Sequence, residues 1–119
     1  MKIRGRDVRF LRTVKTACEL ARMCPDNDLR NLDALWNGNV AETNENAAKI
    51  MHLMAEGYEM NKHFDDPSYK PNPISEEEIM YLDDTTFQEL FNEMMEAFTG
   101  DKPTVEAEES KKNEVSEEE

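Results

Sequence analysis

Apolar residues recur three or four positions apart along most of this 119-residue chain, and proline or glycine interrupts the pattern at a few points. Such spacing puts apolar side chains on one face of a helix, so it predicts a mainly helical fold. The interruptions fall at Pro25, within 66–73 and at Gly100, where the chain loses backbone donors or helical conformation. The pattern therefore predicts one helical domain, residues 1–99.

The first ten residues break the helical pattern, because charged and apolar residues alternate there as they do along a strand. Gly5 and Arg6 can form a two-residue turn with glycine at its first position. That turn would set two apolar pairs opposite each other, Ile3 with Val8 and Met1 with Phe10. A hairpin this short is marginal alone, so we predict a mainly α (α+β) fold with an N-terminal β-hairpin packed on a bundle of four to five helices.

Apolar spacing also predicts which helical faces are buried. The first helix would bury a stripe of Leu11, Val14, Ala17, Cys18 and Ala21. The second would bury Leu29, Leu32, Leu35 and Trp36, and the longest would bury Ala47, Ile50, Met51, Leu53, Met54, Gly57, Tyr58 and Phe64. Because Cys18 and Cys24 lie near an apolar face in a chain with no other cysteine, we expect buried thiols rather than a disulfide.

Side chains that can cap a helix N-terminus predict where the later helices begin. Asp26 or Asn27 would cap the short second helix, and Thr43 or Asn44 the longest one. Two four-residue runs, 75–78 and 85–88, fit capping boxes that open the last two helices. The stretch 66–73 contains three prolines and predicts a stiff, extended connector.

Residues 100–119 carry eight acidic residues against three lysines. A segment so rich in charge and so poor in apolar residues cannot offset the entropy of ordering it. We therefore predict a disordered acidic C-terminal tail over residues 100–119.

The charge of the chain is split. Residues 1–22 carry seven basic against two acidic residues, +5, whereas the whole chain carries −13. This net charge repels nucleic acid, so the arginines are expected to pair with the acidic helices of the same chain or with a second copy. An acidic body could also act as a DNA mimic that inhibits a nucleic-acid-binding protein, although acidic surfaces more commonly serve solubility.

The residues that could perform catalysis or hold a metal are few. Cys18, Cys24, His52 and His63 are the whole stock of soft metal ligands, and none of their spacings matches a zinc site. No phosphate-binding loop, nucleophile motif or cofactor motif is present. No apolar run approaches the roughly 18 residues of a membrane span. The sequence predicts a protein that is not an enzyme, needs no cofactor or metal, and binds neither nucleic acid nor membrane.

Methionine is unusually frequent, with eight residues in the chain. Its flexible thioether can fill gaps in a small core, and it can also line an adaptable binding surface. Together with two phenylalanines, the methionines suggest an apolar groove for a partner. The candidate groove residues are Met51, Met54, Met80, Phe91, Met94, Met95 and Phe98.

Several stretches resemble the tail assembly chaperones of long-tailed, siphovirus-type phages and prophages of Gram-positive bacteria. They are residues 1–25 with Arg12-Thr13-Val14, the runs 56–62 and 69–73, the run 76–80, and 87–91 continuing into 97–99 and the acidic tail. The resemblance covers nearly the whole chain and includes no catalytic signature.

The resemblance implies a specific role. Such proteins bind and solubilise the tape measure protein and help the tail tube protein polymerise around it. They act in the cytoplasm of the bacterial host and are absent from the mature virion. Many are also made as a longer product by a ribosomal frameshift near the C-terminus, and Lys111, Lys112 and Asn113 stand where a slippery codon run could lie. Separately from the resemblance, the exposed edges of the hairpin could pair with a strand of a second copy, which would give self-association, or the Arg and Lys side chains of the hairpin could block that pairing, and the sequence fits both outcomes.

Overall fold

The computed structural model of the chain describes residues 1–100, of which 68% are helical. Two short strands, β1 (Lys2–Ile3) and β2 (Arg6–Asp7), come first. Four α-helices follow, α1 (Val14–Met23), α2 (Val40–Asp65), α3 (Glu76–Met80) and α4 (Asp84–Thr99), with two 3-10 segments, Pro25–Asn27 and Leu29–Trp36, between α1 and α2. The mainly helical fold with an N-terminal antiparallel hairpin is thereby confirmed.

Two predictions concern the chain beyond Gly100. The predicted tail, past its first residue, and the predicted frameshift junction at Lys111, Lys112 and Asn113 lie outside the described residues.

The hairpin turns at Arg4 and Gly5, one residue earlier than the Gly5-Arg6 turn that the sequence predicted. Both turn residues have positive φ, 50° and 79°, as the tightest hairpin turns require. Ile3 consequently pairs with Arg6, and the predicted pairing of Ile3 with Val8 was wrong. Arginine seldom adopts positive φ, which is why the sequence pointed to the later turn.

Moving the turn by one residue shifts the pairing partner of each strand residue by two positions, from Val8 to Arg6 for Ile3. A shift of two residues leaves each side chain on the same side of the hairpin, so the predicted apolar face is preserved. Ile3 and Val8 are both buried. The Val8 N–H donates to the Met1 carbonyl at 2.8 Å, and the N-terminal amine of Met1 donates to the Val8 carbonyl at 3.1 Å. Arg6 is brought to the packed side, where its guanidinium donates to the Glu78 carboxylate at 3.2 and 3.1 Å. The hairpin is thus fixed to α3.

Helix α1 begins at a capping box that the apolar pattern did not reveal. The Thr13 hydroxyl accepts from the Thr16 N–H at 3.1 Å, and the Thr16 hydroxyl accepts from the Thr13 N–H at 3.2 Å. These bonds satisfy two donors at the helix N-terminus, so the helix starts at Val14 rather than further back at Leu11.

The buried face of α1 carries Thr16 and Leu20 rather than the predicted stripe. Val14 is 82% exposed, and Cys18 is exposed as well. The prediction that these side chains are buried was wrong because the face that packs on the core centres on Leu20, which the predicted stripe left out.

The predicted short second helix is the 3-10 segment Leu29–Trp36, and Asp28 is its N-cap. Asp26 and Asn27, the predicted caps, have positive φ of 59° and 53° and form the turn that follows α1. The apolar side chains of this segment pack against the core as predicted, with Leu35 buried and Leu29, Leu32 and Trp36 partly buried.

Helix α2 is the central element, with 26 residues and Asn39 as its N-cap, so it begins before the predicted Thr43 or Asn44. Helices α1, α3 and α4 all contact it. The buried residues of α2 are Ala47, Ala48, Ile50, Met51, Met54, Ala55 and Glu59. Phe64, near its C-terminus, is 70% exposed, contrary to the prediction, because no element within residues 1–100 covers that end of the helix face.

The sequence predicts the N-terminal cap of α3 correctly and that of α4 incorrectly. Ser75 and Glu78 form the predicted capping box of α3. Helix α4 is capped by Asp83, which accepts from the Thr86 N–H at 3.3 Å, so the predicted box at 85–88 lies within the helix. Asp83 is an equally good N-cap residue and stands two positions earlier.

One core joins these elements. Its buried apolar residues come from the hairpin, α1, the 3-10 segment Leu29–Trp36, α2, Ile74 of the connector, α3 and α4. No helix within residues 1–100 combines the length and apolar character that crossing a membrane requires.

Candidate functional site

Three of the methionines predicted to line a groove fill the core instead. Met51, Met54 and Met94 are each 0% exposed. They belong to the faces of α2 and α4 that meet in the interior, so their thioethers fill gaps between helices. The prediction that these three residues line an accessible groove is therefore corrected.

The other four predicted groove residues are divided between two places. Met80 is exposed at the end of α3, whereas Phe91, Met95 and Phe98 are partly buried and pack on the core. Phe91 meets Trp36 edge to face, with ring centroids 5.6 Å apart and an angle of 86°. The seam between α4 and the 3-10 segment leaves no room for a water molecule, so it is a closed contact.

An open groove lies elsewhere, between the start of α1 and the C-terminal half of α2. Its volume is ≈ 380 Å³. The residues that line it come from the first turn of α1 and one face of α2, and they are Thr13, Val14, Lys15, Leu53, Glu56, Gly57, Met60, Asn61 and Phe64. Most of the surface that lines the groove is apolar, and Val14 and Phe64 are strongly exposed. We take this groove as the candidate functional site and call it the α1–α2 groove.

Gly57 allows the two helices to approach closely enough to form the groove. A Cβ at this position would lie 2.8 Å from the Leu11 carbonyl oxygen and 2.8 Å from Thr13 Cγ2. The Leu11 N–H donates to the Met54 carbonyl at 3.0 Å, which holds the chain before α1 against the middle of α2. A glycine inside an otherwise helical pattern is thus a packing requirement.

The rim of the groove carries both apolar and charged groups. Lys15 Nζ lies 3.5 Å from Glu56 Oε1, an exposed pair of modest energy. Asn61 Nδ2 donates to the Gly57 carbonyl at 2.8 Å. Arg12, which is not among the residues that line the groove, donates from Nη1 to the Phe98 carbonyl at 3.2 Å, and its guanidinium lies 4.5 Å from the centre of the Phe98 ring.

A buried carboxylate fastens the connector that follows α2. Glu59 Oε1 accepts from the Tyr69 hydroxyl at 2.6 Å and from the Asn72 N–H at 2.9 Å. The hydrogen bond to Glu59 raises the pKa of Tyr69 to about 12, because deprotonation would lose the bond and set two negative charges together. These contacts give Glu59 a structural role in positioning the connector.

The two histidines hold the same connector. His52 Nδ1 lies 2.8 Å from the Ile74 carbonyl oxygen, and His63 Nδ1 lies 2.8 Å from the Tyr69 carbonyl oxygen. Since a carbonyl can only accept, Nδ1 carries the proton in both rings. Each histidine therefore donates a hydrogen bond to a backbone carbonyl of the connector, His63 near its start and His52 near its end.

The cysteines and carboxylates of the described residues do not assemble a metal site. Cys18 and Cys24 are free thiols, and burial raises the pKa of Cys24, which leaves it a protonated core residue as predicted. Between residues 1 and 100, no three His, Cys, Asp or Glu side chains are grouped closely enough to hold a metal ion.

Comparison of the chain with protein-family models, with curated proteins and with solved structures found no match. The resemblance to tail assembly chaperones accordingly stays a prediction from the sequence.

Sequence reasoning missed the α1–α2 groove. Val14 and Phe64 were assigned to buried faces, and the partner surface was assigned to the methionines. One signal was present, since Gly57 interrupts a strong helical pattern and glycine at such a position indicates close approach by another segment.

Proposed function

We propose that this protein is a phage tail assembly chaperone that binds helical stretches of the tape measure protein. The observation that carries this proposal is the open apolar α1–α2 groove on a chain of charge −13. Exposed apolar surface rimmed by polar groups is typical of a protein-binding site. The resemblance of the sequence supplies the identity of the client.

The groove suits one face of an amphipathic helix. Leu53, Gly57, Met60 and Phe64 follow one another along α2 at spacings of four, three and four residues, so they lie on one face of the helix and form one wall of the groove. A partner helix with apolar residues at i, i+3, i+4 and i+7 would place them against this wall. Met60 adds a side chain that can adapt to clients of different shape.

The small size of the groove makes each contact weak. A volume of ≈ 380 Å³ is near the lower end of the roughly 300–1,000 Å³ of ligand pockets, so it admits a few side chains. A long client with many such segments would bind many copies, and multivalency would hold the assembly together. The acidic surface would keep the loaded client soluble through mutual repulsion.

This role places the protein in the cytoplasm of a bacterial host and outside the mature virion. In the proposed sequence of events, the tail tube protein polymerises along the client and displaces the chaperone. Weak individual contacts favour such displacement, because each copy dissociates quickly.

Two valines provide a matched test of the groove. Val14 and Val40 are the first residues of α1 and α2 and are 82% and 77% exposed, but only Val14 of the two lines the groove. An aspartate at the first position of a helix is favourable for the helix dipole, so neither Val14→Asp nor Val40→Asp should destabilise the fold. Each variant would be co-expressed with the tape measure protein of the same tail gene cluster.

We expect Val14→Asp to reduce co-purification of the tape measure protein about tenfold, which corresponds to about 1.4 kcal/mol. Val40→Asp should stay within twofold of the unmodified protein. Phe64→Ser against Tyr81→Ser gives a second pair, since these rings are 70% and 76% exposed. Equal losses within both pairs would exclude the groove as the binding site.

The client itself is tested by the unmodified protein. If no tape measure protein co-purifies, and the chain instead displaces DNA from a DNA-binding protein in a salt-sensitive way, the DNA-mimic interpretation replaces this one.

Expression of the native gene with its downstream DNA and an N-terminal tag tests the frameshift. A minor longer product whose peptides cross from Lys111 or Lys112 into another reading frame would support the family assignment.

A further inference from the structure

Two exposed charged side chains continue the α2 wall of the α1–α2 groove past its ends. Lys49 precedes Leu53 by four residues, and Asp65 follows Asn61 by four. Residues four apart lie on the same side of a helix, about 6 Å from each other along its axis. Since Leu53 and Asn61 both line the groove, a cation lies beyond one end of it and a carboxylate beyond the other.

Both charges lack an oppositely charged partner within the described residues. No ion pair between residues 1 and 100 includes Lys49 or Asp65. Lys62, in the same turn as Asp65, holds its ammonium over the Tyr69 ring, 4.6 Å from the ring centre. The two charges are therefore available to a bound partner.

The charges between the two ends cancel. Lys15 and Glu56 are the charged residues of the groove lining, and they lie 3.5 Å apart as an ion pair. The carbonyl groups in the last turn of α2 add partial negative charge beside Asp65. The groove is thus mainly apolar and without net charge along its length, with positive charge at the Lys49 end and negative charge at the Asp65 end.

We propose that the groove binds its helical partner in one direction, parallel to α2, with an acidic residue of the partner beside Lys49 and a basic residue beside Asp65. Helices favour acidic residues in their first turn and basic residues in their last, because these charges complement the helix dipole. A helix of this kind matches both ends of the groove only when its N-terminus lies at Lys49.

The spacing of the two charges defines the partner further. Lys49 and Asp65 are about 24 Å apart along α2 at 1.5 Å per residue. The matching charges of the partner helix should therefore be separated by about 16 residues, with an apolar face between them. This direction rests on the proposed function, because it requires a helix in the groove.

The direction is measured with a designed peptide and the full chain. The peptide has apolar residues at i, i+3, i+4 and i+7, one glutamate in its first turn, one lysine about 16 residues later, and a nitroxide attached through an amide at its N-terminus. The nitroxide should broaden the amide signal of Leu53 more than that of Phe64, which lies about 17 Å further along α2.

Exchanging the two end charges of the groove should turn the peptide around. Lys49→Glu combined with Asp65→Lys leaves the net charge of the protein unchanged, so the long-range attraction or repulsion of the peptide is the same. In this double variant the nitroxide should broaden Phe64 more than Leu53. Equal broadening of the two amides in the unmodified protein, or a direction that the exchange does not reverse, would overturn the proposal.

A second exchange is the matched control. Asp33 and Lys70 are exposed, and neither lines the groove. Asp33→Lys combined with Lys70→Glu also leaves the net charge unchanged, and the peptide should keep its original direction. A reversal in this variant as well would mean that the charges at the ends of the groove do not set the direction.

The affinity of the peptide separates this proposal from the proposed function. Exposed ion pairs contribute little each, so replacing the glutamate and the lysine of the peptide by glutamine should weaken binding about threefold. If neither peptide binds, the groove is not a helix-binding site, and the proposed function fails together with the direction. If both peptides bind equally and in both directions, the helix-binding groove is retained and the proposed direction alone is rejected.

Discussion

Glu59 and Thr16 are the polar side chains that residues 1–100 bury within the core, and each is satisfied by a different segment. Thr16 completes the capping box of α1, whereas Glu59 binds the connector through Tyr69 and Asn72. A buried carboxylate is expensive unless it is hydrogen-bonded. The two bonds therefore tie the position of a loop to the stability of the central helix.

The Glu59–Tyr69 bond predicts a change of stability at alkaline pH. The pKa of Tyr69 is raised to about 12 from 10.0, so the folded protein holds this proton more tightly than the unfolded chain does. The stabilisation is then fully present below pH 10 and is lost as pH rises towards 12. In urea unfolding, the advantage of the unmodified protein over Tyr69→Phe should be constant up to pH 10 and largely gone at pH 12.

Tyr81→Phe is the control for this experiment, because Tyr81 is strongly exposed. Its unfolding midpoint should follow that of the unmodified protein across the whole pH range. If the advantage over Tyr69→Phe did not decline between pH 10 and 12, the hydroxyl of Tyr69 would not be bound to Glu59 in solution.

At the scale of elements, the contact of α1 with α2 depends on the absence of one side chain. Replacing a glycine inside a helix by alanine usually stabilises the helix by about 1 kcal/mol. Gly57→Ala should instead destabilise this protein by about 1–3 kcal/mol, since the new methyl group meets the Leu11 carbonyl and Thr13 Cγ2, both at 2.8 Å. Chemical denaturation of the purified variant measures the difference.

A second substitution tests the cause. Thr13→Ser removes Cγ2 but retains the hydroxyl that caps α1. Combined with Gly57→Ala it should recover part of the lost stability, and the contact with the Leu11 carbonyl should account for the remainder. Additive effects in this double-mutant cycle would mean that the two positions do not touch.

The sequence predicts where helices and strands occur better than it predicts which of their faces are buried. The capping box at Ser75 and Glu78 is a local signal, so the sequence predicts it correctly. The buried face of α1 could not be predicted from apolar spacing because it carries a polar residue, Thr16, beside Leu20, and Thr16 can be buried only because its hydroxyl accepts from the Thr13 N–H in a capping box that lacks the usual Glu or Gln. The α1–α2 groove arises from the packing of two helices around Gly57, so the periodicity of either helix alone could not predict its lining.

At the scale of the whole molecule, the basic N-terminal segment is joined to acidic helices. Arg6 binds Glu78 of α3, and the N-terminal amine lies 3.4 Å from Glu93 of α4. Hydrogen bonds from the Ser75 N–H and from Arg6 keep the pKa of Glu78 below its ordinary value. For Arg6, this confirms the expectation that the arginines of the hairpin find partners on the acidic helices. The excess of negative charge nevertheless remains large.

That excess predicts that added salt stabilises the fold. With a net charge of −13, long-range repulsion favours the expanded chain at low ionic strength. The screening length falls from about 30 Å at 0.01 M to less than about 8 Å above 0.15 M salt. We expect the thermal midpoint to rise by about 3–8 °C between 0.01 and 0.3 M NaCl, a shift that corresponds to about 1 kcal/mol for a domain of this size.

The same experiment separates repulsion from ion pairing. Arg6→Met removes the attraction to Glu78 and raises the net negative charge by one, so its midpoint should lie lower in dilute buffer and rise more steeply with salt than that of the unmodified protein. A midpoint that falls as salt is added would mean that pairs such as Arg6–Glu78 outweigh the repulsion. In that case the acidic surface would not supply the mutual repulsion that the proposed chaperone needs to keep its client soluble.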